Sequence, residues 1–128
     1  MAIQKFEDII AWQKAQDLAT DVYLIFGLSK DFGFKDQITR AAISISNNIA
    51  EGFDRSSDAD FNRFLYFALG SNSEVRSMLY LAERLNYLKT EQRESLVNQT
   101  NEISKIITGL IKSLIRKQPN AQPLTPSA

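Results

Sequence analysis

The chain is 128 residues long, with 15 Lys+Arg against 15 Asp+Glu and neither cysteine nor histidine. That length suits a single domain burying roughly two-thirds of its unfolded surface. The two missing side chains exclude disulfides, thiolate nucleophiles, zinc–thiolate and iron–sulfur centres, imidazole general bases and imidazole-ligated haem, and the zero formal charge argues against attachment to nucleic acid by bulk electrostatics without forbidding a local basic patch.

The opening MAIQKFEDIIAWQKA mixes acids and polar residues among the apolar ones, so it is not a signal peptide. No run reaches the roughly 20 apolar residues that span a bilayer, and a soluble cytoplasmic protein without a membrane partner is expected. At helical periodicity, Ala11, Trp12, Ala15, Leu18, Ala19, Val22, Tyr23 and Phe26 share one side of a first predicted helix over 7–27, which Gly27 ends. A second, over 35–54, carries Ile38, Ala42, Ile45, Ile49 and Phe53 on one stripe. Alternation around Ile43 and Ile45 also fits a strand, but the residues on either side follow helical spacing.

Ser57, with Asp60 three residues on, forms a capping box with Asp in place of Glu. It opens a third helix over 58–87, with Phe61, Phe64, Leu65, Ala68, Val75, Leu79 and Ala82 on the core side and Phe67 and Met78 on a second side. Asn86 begins the connection NYLKT, and Thr90 is the expected N-cap of a fourth helix over 91–117 with the stripe Leu96, Ile103, Ile107, Leu110 and Leu114. All three prolines fall in 118–128, read as a mobile tail. The expected fold class is all-α, an up-down-up-down antiparallel four-helix bundle.

The second helix sets a polar stripe beside its apolar one. Gln37, Arg40, Ser44, Asn48, Glu51 and Arg55 fall within a sector of roughly 60°. An ordinary solvated face favours Lys and Glu, whereas SISNNIAEG places Ser44, Ser46, Asn47, Asn48 and Gly52 inside the helix, all poor helix formers. Such residues make sense where side chains bond to another helix or subunit, or where a backbone comes close. Gly70, Ser71 and Glu74 interrupt the third helix in the same way, so a polar network between helices or subunits is the candidate site.

The charge divides along the chain, from −2 over residues 1–28 to +2 over 90–128. Lys105, Lys112, Arg116 and Lys117 follow Glu102 with no acid among them and, with Arg40 and Arg55, are the candidate contacts for nucleic acid. Part of that imbalance simply complements a helix C-terminus. Glu51 and Glu74 are the carboxylates available for acid–base or metal chemistry, but a di-iron bundle needs Glu-x-x-His, and no G-x-x-x-x-G-K-[ST] phosphate loop occurs. Neither enzyme activity nor a metal or cofactor is expected.

Phe6-Glu7, Ala11-Trp12-Gln13-Lys14-Ala15, Gln37, Arg40-Ala41-Ala42, Ser44 through Gly52, Arg55, Phe61, Phe64-Leu65 and Ala68-x-Gly70-Ser71-x-x-Glu74 together resemble the bacterial four helix bundle protein family. This is also called the ribosomal RNA intervening-sequence protein family, because some members are encoded within insertions in large-subunit ribosomal RNA genes. The resemblance covers about residues 6–115. It implies a bundle that assembles as a ring-like homopentamer, related to the accessory variability determinant of diversity-generating retroelements, which is a partner of a reverse transcriptase and its RNA. Thr39 stands where the family commonly has a second arginine. The function so implied is a non-enzymatic scaffold whose first partner is itself, with RNA or a nucleic-acid-processing protein as a further partner; the alternative is a module with protein partners alone.

Overall fold

A computed structural model describes residues 3–117, and the expected tail at 118–128 lies outside the described residues. Four helices, α1 (Ile10–Phe26), α2 (Phe32–Phe53), α3 (Asp58–Arg84) and α4 (Thr90–Lys117), follow a single 3₁₀ turn at Phe6–Asp8. No strand occurs among the described residues. Each helix packs on its chain neighbour and α4 closes back on α1, while the backbones of the diagonal pairs stay apart. Bonded residue numbers run in opposite directions along neighbouring helices, which are therefore antiparallel: Gln37 with Glu74 and Ser44 with Ser71 between α2 and α3, Asn72 with Thr100 and Glu83 with Arg93 between α3 and α4, and Lys14 with Glu102 and Asp21 with Gln99 between α1 and α4.

The boundaries differ from the sequence expectation where a local cap decides them. Ile9 is extended and almost fully buried, which separates the 3₁₀ turn from α1 and moves the start of α1 from 7 to Ile10. Phe6 packs edge-on to Trp12 across that break, with ring centroids 5.3 Å apart. α2 begins at Phe32 rather than 35, because the Asp31 carboxylate accepts from the Phe34 N–H at 3.2 Å. Ser57 caps α3 as expected, accepting from the Asp60 N–H at 3.1 Å.

α3 stops at Arg84, short of 87. Asn86 takes a left-handed φ of 62°, and the Tyr87 and Asn86 N–H groups donate to the Ala82 and Glu83 carbonyls, which is a Schellman ending with Asn in the position usually held by Gly. Thr90 is not the N-cap of α4. It is the first residue of that helix and its hydroxyl donates to Glu83, while the Lys89 N–H is satisfied by the Gln92 side chain. Arg93 also binds Glu83, at 2.7 Å. At the same end the Tyr87 hydroxyl donates to the Asp31 carboxylate at 2.7 Å, and its ring meets Phe34 edge-on.

The core is one cluster drawn from all four helices, with Leu18, Val22, Ile38, Ile45, Ile49, Leu65, Val75, Leu79, Ile103 and Ile107 fully enclosed. Two expectations are corrected. Tyr23, assigned to the core side of α1, is exposed, and Met78, assigned to a second side of α3, is buried. α3 lies between α2 and α4 and is covered over more than half its circumference, so it takes in Met78 on one flank and Asn62 and Asn72 on the other. In α4, Ile111 is buried, while Leu110 and Leu114 pack only partly against the core.

Candidate interaction surface

The predicted polar stripe of α2 lies along α3, where the polar residues of α3 meet it. The Gln37 amide donates to Glu74 at 3.3 Å and the Ser71 hydroxyl to Ser44 at 2.9 Å. Asn48 donates to both the carbonyl and the hydroxyl of Ser44, within its own helix. Ser44, Asn48 and Ser71 are therefore spent on bonds that a purely solvated face would not need. Below them Glu51 pairs with Arg55 at 3.0 Å, and the guanidinium groups of Arg55 and Arg63 lie 4.8 and 5.3 Å from the centre of the Phe64 ring.

The two glycines of this site do different things. A Cβ on Gly52 would lie 2.4 Å from the Cβ of Phe64 and 3.2 Å from the Phe61 ring, so Gly52 serves the close approach of α2 and α3 within one chain. A Cβ on Gly70 would meet nothing within 4 Å. Gly70 is exposed on α3, and beside it, between the two helices, runs a groove of about 520 Å³ lined in part by Gly33, Asp36, Gln37, Arg40, Ser71 and Glu74. Arg40 is exposed there and forms no ion pair among the described residues. Phe67, Leu81 and Leu85 stand exposed on the α3 side of the same face.

The six cations considered for nucleic acid do not form one surface. Arg40 is on α2 and Arg55 in the turn that follows it, whereas Lys105, Lys112, Arg116 and Lys117 are on α4, which is diagonal to α2. The four on α4 are exposed and in no ion pair among the described residues. Arg76 of α3 joins the side of Lys105, Lys112 and Arg116, bonding the neutral Asn101 at 3.3 Å, a neighbour that linear spacing does not reveal. The opposite flank of α4, facing α1, is acidic. There Lys14 pairs with Glu102 at 2.8 Å, which holds its ammonium above the ordinary value, and Gln99 donates to Asp21.

Sequence reasoning also missed a polar seam between α3 and α4. Asn72 is buried and donates to the Thr100 carbonyl at 2.8 Å, and the side-chain carbonyls of Asn62 and Asn72 have no donor among the described residues. No periodicity signals such residues, because an Asn on a helix is equally compatible with solvent. Among the described residues no cluster of His, Cys, Asp or Glu is placed to hold a metal ion, and no helix is long and apolar enough to cross a membrane.

The arrangement is that of an antiparallel four-helix bundle with an open polar groove between its second and third helices. Residues 7–109 match the family of 23S rRNA-intervening sequence proteins, and the chain belongs to that family. It is similar to a crystal structure of a protein with unknown function from the S23 ribosomal protein family of Bacteroides thetaiotaomicron, at 33% identity and a TM-score of 0.75, over 80% of this chain and 99% of that one. Among proteins of curated function none matches the chain.

Proposed function

We propose that the chain is a cytoplasmic, non-enzymatic scaffold that assembles with copies of itself, as a homopentamer, through the outward face of α2 and α3. The observation that carries this reading is Gly70. A glycine at an exposed helix interior costs about 0.5–1 kcal/mol relative to Ala, and here the space it leaves is filled by nothing among the described residues. Its surroundings, the Ser44–Ser71 bond, Arg40 without an ion pair among the described residues, and exposed Phe67 and Leu81, have the mixed composition of a subunit contact. Size exclusion with light scattering is expected to give roughly five times the chain mass of 14.5 kDa, and a mass near 14.5 kDa would overturn the reading.

A second reading, that the assembled scaffold binds RNA, is favoured by the basic side of α4. Lys105, Lys112 and Arg116 repeat along one outer stripe with no acid beside them in that half of the helix, and several copies multiply a weak patch through effective concentration. Retention of structured RNA on a filter at low salt is expected. It should fall steeply with added salt and weaken further in Lys112→Glu, as counterion release requires. Absence of retention at micromolar protein would leave a module with protein partners alone.

A further inference from the structure

The exposed apolar side chains are shared unevenly between the two ends of the bundle. Where α1 turns into α2 and α3 into α4, Tyr23, Leu24, Leu28, Phe32, Leu85 and Tyr87 are exposed, whereas near the opposite end only Ile3 and Ile10 are, among the described residues. Leu28, in the first of these turns, is 96% exposed, with Leu24 of the preceding helical turn at 77% and Phe32 at the start of α2 at 64%. Side chains so exposed project from the surface. The same end carries excess positive charge. Over the two turns with four helical residues on either side, 23–35 and 81–93, the five cations Lys30, Lys35, Arg84, Lys89 and Arg93 stand against the three acids Asp31, Glu83 and Glu91, a net +2 in a chain of zero formal charge. Asp31 is held by the Phe34 N–H and the Tyr87 hydroxyl, and Glu83 by Thr90 and Arg93, while the next acid along α2, Asp36, lines the α2–α3 groove. Lys30, Lys35, Arg84 and Lys89 enter no ion pair among the described residues. The Lys35 ammonium lies 5.0 Å from the centre of the Phe32 ring.

We propose that this end of the bundle docks on the surface of an anionic lipid bilayer. Leu24, Leu28 and Phe32 enter the boundary between headgroups and acyl chains, which takes in apolar side chains to a depth of roughly 5–10 Å. Lys30, Lys35, Arg84 and Lys89 around them meet lipid phosphates at the level of the headgroups, with their aliphatic stems along the apolar part. A fluid layer closes around protruding side chains, so their burial needs no matching pocket, and anionic headgroups supply the partners that the four cations lack in the chain. Both parts are required, because a few apolar side chains or a few cations alone bind a bilayer only weakly. The expectation of no membrane partner came from the lack of a spanning run. No helix among the described residues is long and apolar enough to cross a membrane, and docking at the surface needs none. Nor does it require the self-assembly proposed above.

Co-sedimentation with vesicles tests the contact. The protein is expected to sediment with vesicles of equal parts phosphatidylglycerol and phosphatidylcholine, to stay in solution with phosphatidylcholine alone, and to be released by added salt. Leu28→Ser with Phe32→Ser, and separately Lys30→Glu with Lys35→Glu, are each expected to lower partitioning about tenfold or more. All four side chains lie outside the core, so the helical circular dichroism is expected to stay unchanged. Orientation has its own readout. The single tryptophan, Trp12, lies near the start of α1 at the opposite end, so brominated lipid is expected to quench the added fluorescence of Leu28→Trp and to leave that of the wild type. No sedimentation with the anionic vesicles, equal sedimentation with the neutral ones, or quenching of Trp12 as strong as that of Leu28→Trp would overturn the docking. A fall in lipid-free mass on Leu28→Ser with Phe32→Ser, read by light scattering, would overturn it too, since that outcome assigns this end to a second copy.

Discussion

Gly52 and Gly70 are the same residue type on adjoining helices, and their surroundings predict opposite responses to one methyl group. At Gly52 the methyl would press on the Phe64 Cβ, which cannot swing away as a side-chain tip can. Overpacking of about 1–3 kcal/mol then exceeds the gain of about 1 kcal/mol in helix propensity, so Gly52→Ala is expected to lower the urea midpoint. At Gly70 only the propensity gain operates within the chain, and Gly70→Ala is expected to raise the unfolding free energy by about 0.5–1 kcal/mol, and the midpoint with it, at dilutions where copies separate. A bulky residue at Gly70 is expected to loosen the assembly while leaving the fold intact, measured by light scattering. The sequence marks both positions as anomalous helix glycines. Only the neighbour across the interface, Phe64 for one and open space for the other, distinguishes their roles.

At the level of elements, the helix ends at the closed end of the bundle are fixed by carboxylates. The Tyr87 hydroxyl, and secondly the Phe34 N–H, hold the Asp31 carboxyl below its ordinary range, and Arg93, then Thr90, do the same for Glu83. A folded value below the unfolded one means that the unfolded chain binds more protons as the carboxylates titrate. Their contribution is therefore complete above about pH 5 and is lost as the pH falls below about 4. Urea melts across this range are expected to show a shallower loss of stability on acidification in Asp31→Asn and Glu83→Gln than in the wild type, and equal slopes would count against the assignment. Four helices and the Ser57 cap were legible because each rests on residues close in sequence. The cap at Asp31, the left-handed Asn86 and the diversion of Thr90 to Glu83 were not, because competing turn chemistry and contacts between elements decide them.

Over the whole molecule, zero net charge is the sum of unlike flanks. α4 presents uncompensated cations on one side and, toward α1, a flank where Asp17, Asp21 and Glu102 outnumber Lys14. This segregation keeps the chain neutral while giving it two electrostatic addresses, and it follows from which helices are neighbours, a matter of topology that composition does not carry. The polar groove was legible as residue types on two separate helices; its pairing, Ser44 with Ser71 and Gln37 with Glu74, needed the register between them. The bond from Tyr87 to Asp31 has a further consequence for motion. It joins the turn between α1 and α2 to the turn between α3 and α4, two loops that are not consecutive in the chain. Fraying of either loop breaks this bond and the Phe34–Tyr87 ring contact, so the amides at the start of α2 and those from Leu85 to Thr90 are expected to open as one cooperative unit. Hydrogen exchange is expected to give them a common opening free energy in the wild type, and Tyr87→Phe is expected to split it into two.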